Sequence, residues 1–131
     1  MTKRQNLTTN SAWEDKVGYC RAVKIGNTIE VSGTVSVDNS GEVVGLNDPY
    51  IQTRFILLRI ENALKSLGAT MQDIVRTRVY VTDISKWELV GKAHGEMFAD
   101  IKPAMSMVEV SALINPDYIV EIEATVILGG N

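Results

Sequence analysis

One cysteine, Cys20, is the whole thiol content of the chain, so an internal disulfide is excluded, and so is a cysteine-rich metal site. With no histidine near it in sequence, Cys20 reads as a packed small residue and not as a nucleophile. Histidine is equally scarce. His94 stands alone in Ala93-His94-Gly95-Glu96, without the two-histidine helical spacing of a metalloprotease, and reads as structural. No apolar run approaches the ~20 residues of a membrane span, and the polar opening stretch has no apolar core of a secretory signal. The expectation is a cytoplasmic protein with no membrane partner. Acidic residues outnumber basic ones, 16 to 13, for a net charge of −3, which argues against a broad basic surface for nucleic acid or anionic lipid. Glycine-rich phosphate loops are missing as well; Gly129-Gly130 is a tail.

What is present is the balance of a globular protein. Apolar residues make up 45% and charged residues 22% of 131 residues, room for one domain spanning residues 1–131. Arg21 to Ile25, a Gly26-Asn27 turn and a stretch from Thr28 to Val37 suggest two strands. In the second, Ile29, Val31, Gly33, Val35 and Val37 alternate with polar neighbours. The turn residues Asp38-Asn39-Ser40-Gly41 follow. Asp48-Pro49 reads as a helix N-cap and first turn, with the helix running to about Leu67 and Gly68 as its left-handed cap. Ile56, Ile60, Ala63, Leu64 and Leu67 form its buried stripe. Ile74 to Thr82 is a strand with Val75, Thr77, Val79 and Val81 on one face and Arg76, Arg78 and Tyr80 on the other. Ser85 caps a second helix to about Ala99, with Trp87, Val90, His94 and Phe98 along one stripe, and Pro103 stops it. Strands at Ala104–Val110 and Tyr118–Leu128 close the chain around a turn at Asn115-Pro116-Asp117. The order is β-β-α-β-α-β-β, an α+β arrangement with both helices on one sheet face.

The helix-free face is the informative one. In the last strand Glu121, Glu123 and Thr125 share it, and the pattern places Met105, Met107 and Glu109 beside them, with Arg76 and Arg78 one strand away. A solvated face is one reading. The methionines and flanking apolar stretches favour burial against another subunit, where unpaired carboxylates cost several kcal/mol each and acids lacking a cation rise in pKa.

Three segments carry a family resemblance: Ile74-Val75-Arg76-Thr77-Arg78-Val79-Tyr80-Val81-Thr82-Asp83, Pro103-Ala104-Met105-Ser106-Met107-Val108-Glu109-Val110, and Val120-Glu121-Ile122-Glu123-Ala124. Gly18-Tyr19, Ile29-Glu30-Val31-Ser32-Gly33 and Gln52-Thr53-Arg54 add to it. The chain resembles the YjgF/RidA family, also labelled endoribonuclease L-PSP, over nearly its whole length. The resemblance implies a chorismate-mutase-like fold with one mixed sheet, a homotrimer whose sheets form a central barrel, and small-molecule clefts between subunits. It also implies hydrolysis of enamines and imines, without cofactor or metal. The site residues it implies are Glu121 as the water-orienting catalytic group and Tyr19, Ser32 and Gly33 as cleft lining. Met105 stands where the best-studied branch has a carboxylate-clamping arginine, Met107 where cysteine is common, and Gly91 where many members have asparagine.

Methionine cannot make the paired charge-assisted bonds of a guanidinium, and losing such a clamp costs on the order of 2–5 kcal/mol in a desolvated site. A simple 2-imino acid is therefore disfavoured as substrate. Three readings stay open: a less charged imine or enamine against adaptable methionine walls, a cation supplied by Arg78 or Arg76, or ligand binding without catalysis. Glu121 as an ion-paired strand carboxylate and Tyr19 as a core-edge aromatic are the structural alternatives. Nothing in the residues supports a ribonuclease.

Overall fold

The computed structural model describes residues 3–129, so Gly130 of the expected tail lies outside the described residues. Among these residues six strands form one mixed sheet: β1 (Arg4–Leu7), β2 (Ala22–Ile25), β3 (Thr28–Val35), β4 (Ile74–Val81), β5 (Ala104–Glu109) and β6 (Val120–Ile127). Their spatial order is β1-β2-β3-β6-β4-β5, antiparallel except for the β4–β5 pair. Among the described residues three α-helices accompany them, α1 (Ala12–Val17), α2 (Pro49–Ser66) and α3 (Trp87–Phe98). Among the described residues, no helix is long and apolar enough to cross a membrane.

Local chemistry explains the helices. The Asp48 carboxylate accepts from the Ile51 amide at 3.0 Å, Pro49 occupies the first turn, and Gly68 takes φ +79° just past the end of α2. The stripe Ile56, Ile60, Ala63, Leu64 and Leu67 is buried as its spacing requires. It meets Ile29, Val31, Val79, Val81, Val120, Ile122, Ala124 and Val126 from the sheet, and Val90 and Phe98 from α3. Full burial of each large aliphatic side chain is worth about 1.5–3 kcal/mol.

Several expectations are corrected. Ser85 does not cap the second helix; Asp83 accepts from the Ser85 amide and hydroxyl, starting a 3₁₀ turn, Ile84–Lys86, that leads into α3. Trp87 lies at that junction and points to solvent, 55% exposed. Val75 is not on the core face, because the β4–β6 register slips between Ile74 and Arg76 and Val75 is the extra, exposed residue of a bulge. A second slip between Val31 and Thr34 changes the phase of β3, so Thr34 and Ser36 are buried in place of Gly33 and Val37. The N-terminal β1 and α1 extend the expected element order.

His94 has the structural role its isolation suggested. Its Nε2 lies 2.9 Å from the Thr77 hydroxyl, its ring packs against Phe98, and burial holds its pKa below the ordinary 6.5. The unfolded chain therefore takes up a proton that the folded one resists. Stability is expected to be complete above about pH 6.5 and to decline as pH falls toward the lowered folded value. Thermal melts from pH 8 to pH 5 should show this as a difference, the wild type losing stability relative to His94→Gln as pH falls.

Candidate functional site

The site residues separate between the two faces of the sheet. Glu121 and Glu123 share the helix-free face with Tyr80 and Arg78, their register partners on β4. The Tyr80 hydroxyl donates to Glu123 at 2.9 Å, which raises the tyrosine pKa. Arg78 reaches the same carboxylate, Nε to Oε1 at 3.7 Å, and one of its Nη atoms meets the Thr125 hydroxyl at 3.5 Å. Thr125 in turn donates to Glu30 at 2.7 Å. Arg78 is thus engaged in a lattice across β4 and β6, with Glu123 its ion-pair partner.

Met105, Met107 and Glu109 are not on this face, contrary to the sequence expectation. The parallel β4–β5 register pairs Thr77 with Met105, Val79 with Met107 and Val81 with Glu109. Paired residues share a face, and Thr77, Val79 and Val81 point under the helices. Met107 packs on the core margin, and Glu109 accepts from the Ile84 amide at 3.0 Å. Ala104, Ser106 and Val108 take the helix-free side instead. The residues of β5 are too mixed in polarity for alternation alone to fix their parity.

Glu121 is the outlier among the carboxylates. Its side chain lies directly over the main chain of Gly33, so close that a β-carbon there would overlap Oε2 and stand 3.0 Å from Cδ. Burial pushes its pKa above the ordinary carboxylate value, the neighbouring Glu123 adds to the rise, and Arg21 partly offsets it. The glycine supplies room that no other residue would leave, and the β3 bulge brings its backbone to the acid. Ser32 stands next to it, its hydroxyl donating to the Cys20 carbonyl at 2.7 Å, which ties β3 to the segment carrying Tyr19. Tyr19 itself is 39% exposed, following the Gly18 cap of α1. Cys20 is buried, with Sγ 3.4 Å from the Ala22 carbonyl. Gly91 lies on α3 beside Trp87, with no contact to Glu121.

Sequence reasoning missed Arg21. The β2–β3 pairing ends at Ala22 and Val31, leaving the outer edge of β3 without a strand beyond the Ser32 amide, which donates to the Arg21 carbonyl. Two guanidinium groups take over that edge. Arg21 donates to the Gly33 carbonyl and Arg59 of α2 to the Val35 carbonyl, both at 2.6 Å. Arg21 is only 9% exposed, and its Nε is buried without an acceptor among the described residues. A buried donor left in that state costs about 1–3 kcal/mol, and more when it carries charge. The signal in the sequence was an arginine at the start of a strand whose next residue, Ala22, is fully buried.

With this geometry in place, comparison decides the family. The sequence profile described as Endoribonuclease L-PSP matches residues 9–128. The chain belongs to that family, the YjgF/RidA group. A Mycobacterium tuberculosis structure of the YjgF/YER057c/UK114 family is 47% identical, with a TM-score of 0.87 over 96% of this chain and 100% of the other. The YjgF gene product of E. coli is 30% identical, with a TM-score of 0.82 over 95% and 98%. Among curated sequences, a RutC family protein of Pyrococcus abyssi is 36% identical over 81% of this chain and 83% of its own. The 3-aminoacrylate deaminase RutC of Acinetobacter baylyi is 30% identical over 79% and 82%. Within this YjgF/RidA chain, Met105 and Glu121 lie on opposite sides of the sheet.

Proposed function

We propose that the protein hydrolyses a small enamine or imine other than a simple 2-imino acid, with Glu121 as the base that activates water. The observation that carries this reading is the Glu121 carboxylate over the Gly33 backbone, half-buried and with a raised pKa. A base tuned upward toward neutral pH is suited to removing a proton from water. An enamine reacts after tautomerising to its imine. Water then adds to the imine carbon, its oxygen forming the new C–O bond while Glu121 takes its proton. That proton passes to the imine nitrogen, giving a neutral carbinolamine. Glu121 then takes the hydroxyl proton and delivers it to the nitrogen as the C=O bond forms and the C–N bond breaks, so ammonia leaves a carbonyl product. The similarity to a 3-aminoacrylate deaminase supports this reaction class.

The protein works in the cytoplasm as a homotrimer, its small-molecule clefts formed where helix-free faces meet, without cofactor. Tyr19, Ser32 and Gly33 line the cleft, and Met105, exposed on the edge strand β5, reaches it around the sheet edge of a neighbouring subunit, while Met107 stays packed on the core margin. Arg78, held by Glu123, keeps the electrostatic balance of the face. The presence of methionine at the clamp position also favours a second reading, a trimer of the same fold that binds a small ligand without turning it over.

A panel of imines generated in situ by an amino-acid oxidase separates the two. Accelerated ammonia release from apolar or uncharged members supports the hydrolase. No acceleration for any member, together with saturable ligand binding, supports the binding protein.

A further inference from the structure

A cleft of about 700 Å³ opens beside α2, between the residue 7–13 segment, the 37–41 loop and the helix. Its volume falls within the range of small-molecule sites, roughly 300–1,000 Å³. Arg21 and Arg59 line it, together with the exposed Asn62 and Ser66 of α2, Thr8 and Tyr118. We propose that this cleft binds the oxyanion group of a small molecule, a carboxylate or a phosphate, between the guanidinium groups of Arg21 and Arg59.

Three observations carry the assignment. Each guanidinium spends one Nη on a β3 carbonyl, yet neither arginine has a salt-bridge partner among the described residues. The buried Nε of Arg21 has no acceptor. The two cations also oppose each other, since burial and then the charge of Arg21 depress the Arg59 pKa. An oxyanion between them answers all three, supplying an acceptor, a counter-charge and the planar match that guanidinium groups make with carboxylate and phosphate.

The nearby carboxylates are already engaged elsewhere. Asp38, on the cleft wall, accepts from the Ser40 amide and hydroxyl and from the Glu42 amide within its own loop. Glu14 is buried, and its two oxygens accept from the Thr9 amide and hydroxyl; its field reaches Arg21 without an ion pair. Glu121 is not a lining residue of this cleft. The anion site therefore stands or falls separately from the hydrolytic reading.

The test is calorimetric titration of the full chain with inorganic phosphate and, separately, with malonate, alongside the Nε–H resonances of the arginines. Saturable binding of at least one anion is expected, with the Arg21 Nε–H signal shifting as the site fills. Whichever anion saturates assigns the ligand group as phosphate or carboxylate. Arg59→Gln should weaken binding by about tenfold or more, as expected for removing one partner of a buried charged contact. Asn62→Asp, a surface change that adds a negative charge to the cleft and leaves both arginines in place, should weaken it comparably. Glu121→Gln, which removes a negative charge from the field of Arg21 and leaves the cleft lining intact, should bind at least as tightly as the wild type. No saturation by either anion, or affinity unchanged in both cleft variants, overturns the proposal.

Discussion

Glu121→Gln is expected to lower turnover of the enamine or imine substrate by about 10²-fold while making the protein more stable at neutral pH. The catalytic loss follows from removing a general base, a contribution of about 10²–10⁴ in rate. In the wild type the acid limb of the pH–rate profile should lie above the ordinary carboxylate range, because burial and Glu123 outweigh Arg21 in setting the Glu121 pKa. Activity is lost as pH falls through that raised value, and the glutamine variant should lack this limb. Stability runs the other way. The folded protein holds the Glu121 proton more tightly than the unfolded chain does, so ionisation opposes folding. That penalty is absent below the unfolded carboxylate value and is fully present once pH exceeds the folded one. The variant should therefore melt at higher temperature than the wild type at pH 7, with the gap closing near pH 4. Turnover equal to that of the wild type would remove Glu121 from the mechanism, whatever the melting temperatures.

The fold was legible wherever one physical signal dominated. Asp48-Pro49 and Gly68 bracket α2 because capping and left-handed backbone are local chemistry, and β6 kept its alternation because every second residue from Val120 to Val126 is apolar and buried. The short N-terminal elements were harder. Strand β1, Arg-Gln-Asn-Leu, is an edge strand with three exposed residues and no apolar period. Helix α1, capped by Ser11 and Gly18, is only six residues long, too short for an apolar period to mark it. Bulges were the larger obstacle. One extra residue at Val75 and one irregularity between Val31 and Thr34 invert which side chains face the core, and neither leaves a mark in strict alternation.

The same limitation shaped the site. Glu121 could be placed on the helix-free face from its own strand alone, and the β3 bulge that brings Gly33 to it depends on pairing with β6. Met105 and Met107 were put beside Glu121 because β5 offers no apolar alternation of its own; its parity is inherited from β4 through a parallel register. Arg21 was passed over because its importance lies in a missing strand. β3 outruns β2, and the vacant carbonyls of Gly33 and Val35 recruit guanidinium groups from a strand entrance and from a helix. Such long-range vacancies are set by relative strand lengths, which a linear pattern does not encode.

Gly33→Ala tests whether the approach of Glu121 to the β3 backbone matters for chemistry. The new methyl group would overlap Glu121 Oε2 and crowd its Cδ, and the group that must yield is the end of a flexible side chain. Gly33 is not among the glycines with positive φ, so alanine introduces no backbone strain. Reduced freedom of the unfolded chain should even offset part of any local cost, by about 0.4–1 kcal/mol. The expected protein is folded, close to the wild type in melting temperature, and depressed in turnover by about the same 10²-fold as Glu121→Gln, since a displaced base loses its alignment with water. The two changes should then be strongly non-additive. Adding Gly33→Ala to Glu121→Gln should cost less than a further twofold, because the misplaced group is no longer a base. A Gly33→Ala enzyme with full turnover would mean that the carboxylate acts from a position it can reach without the glycine. Independent, multiplying losses would give Gly33 a role of its own, through its backbone and apart from the acid above it.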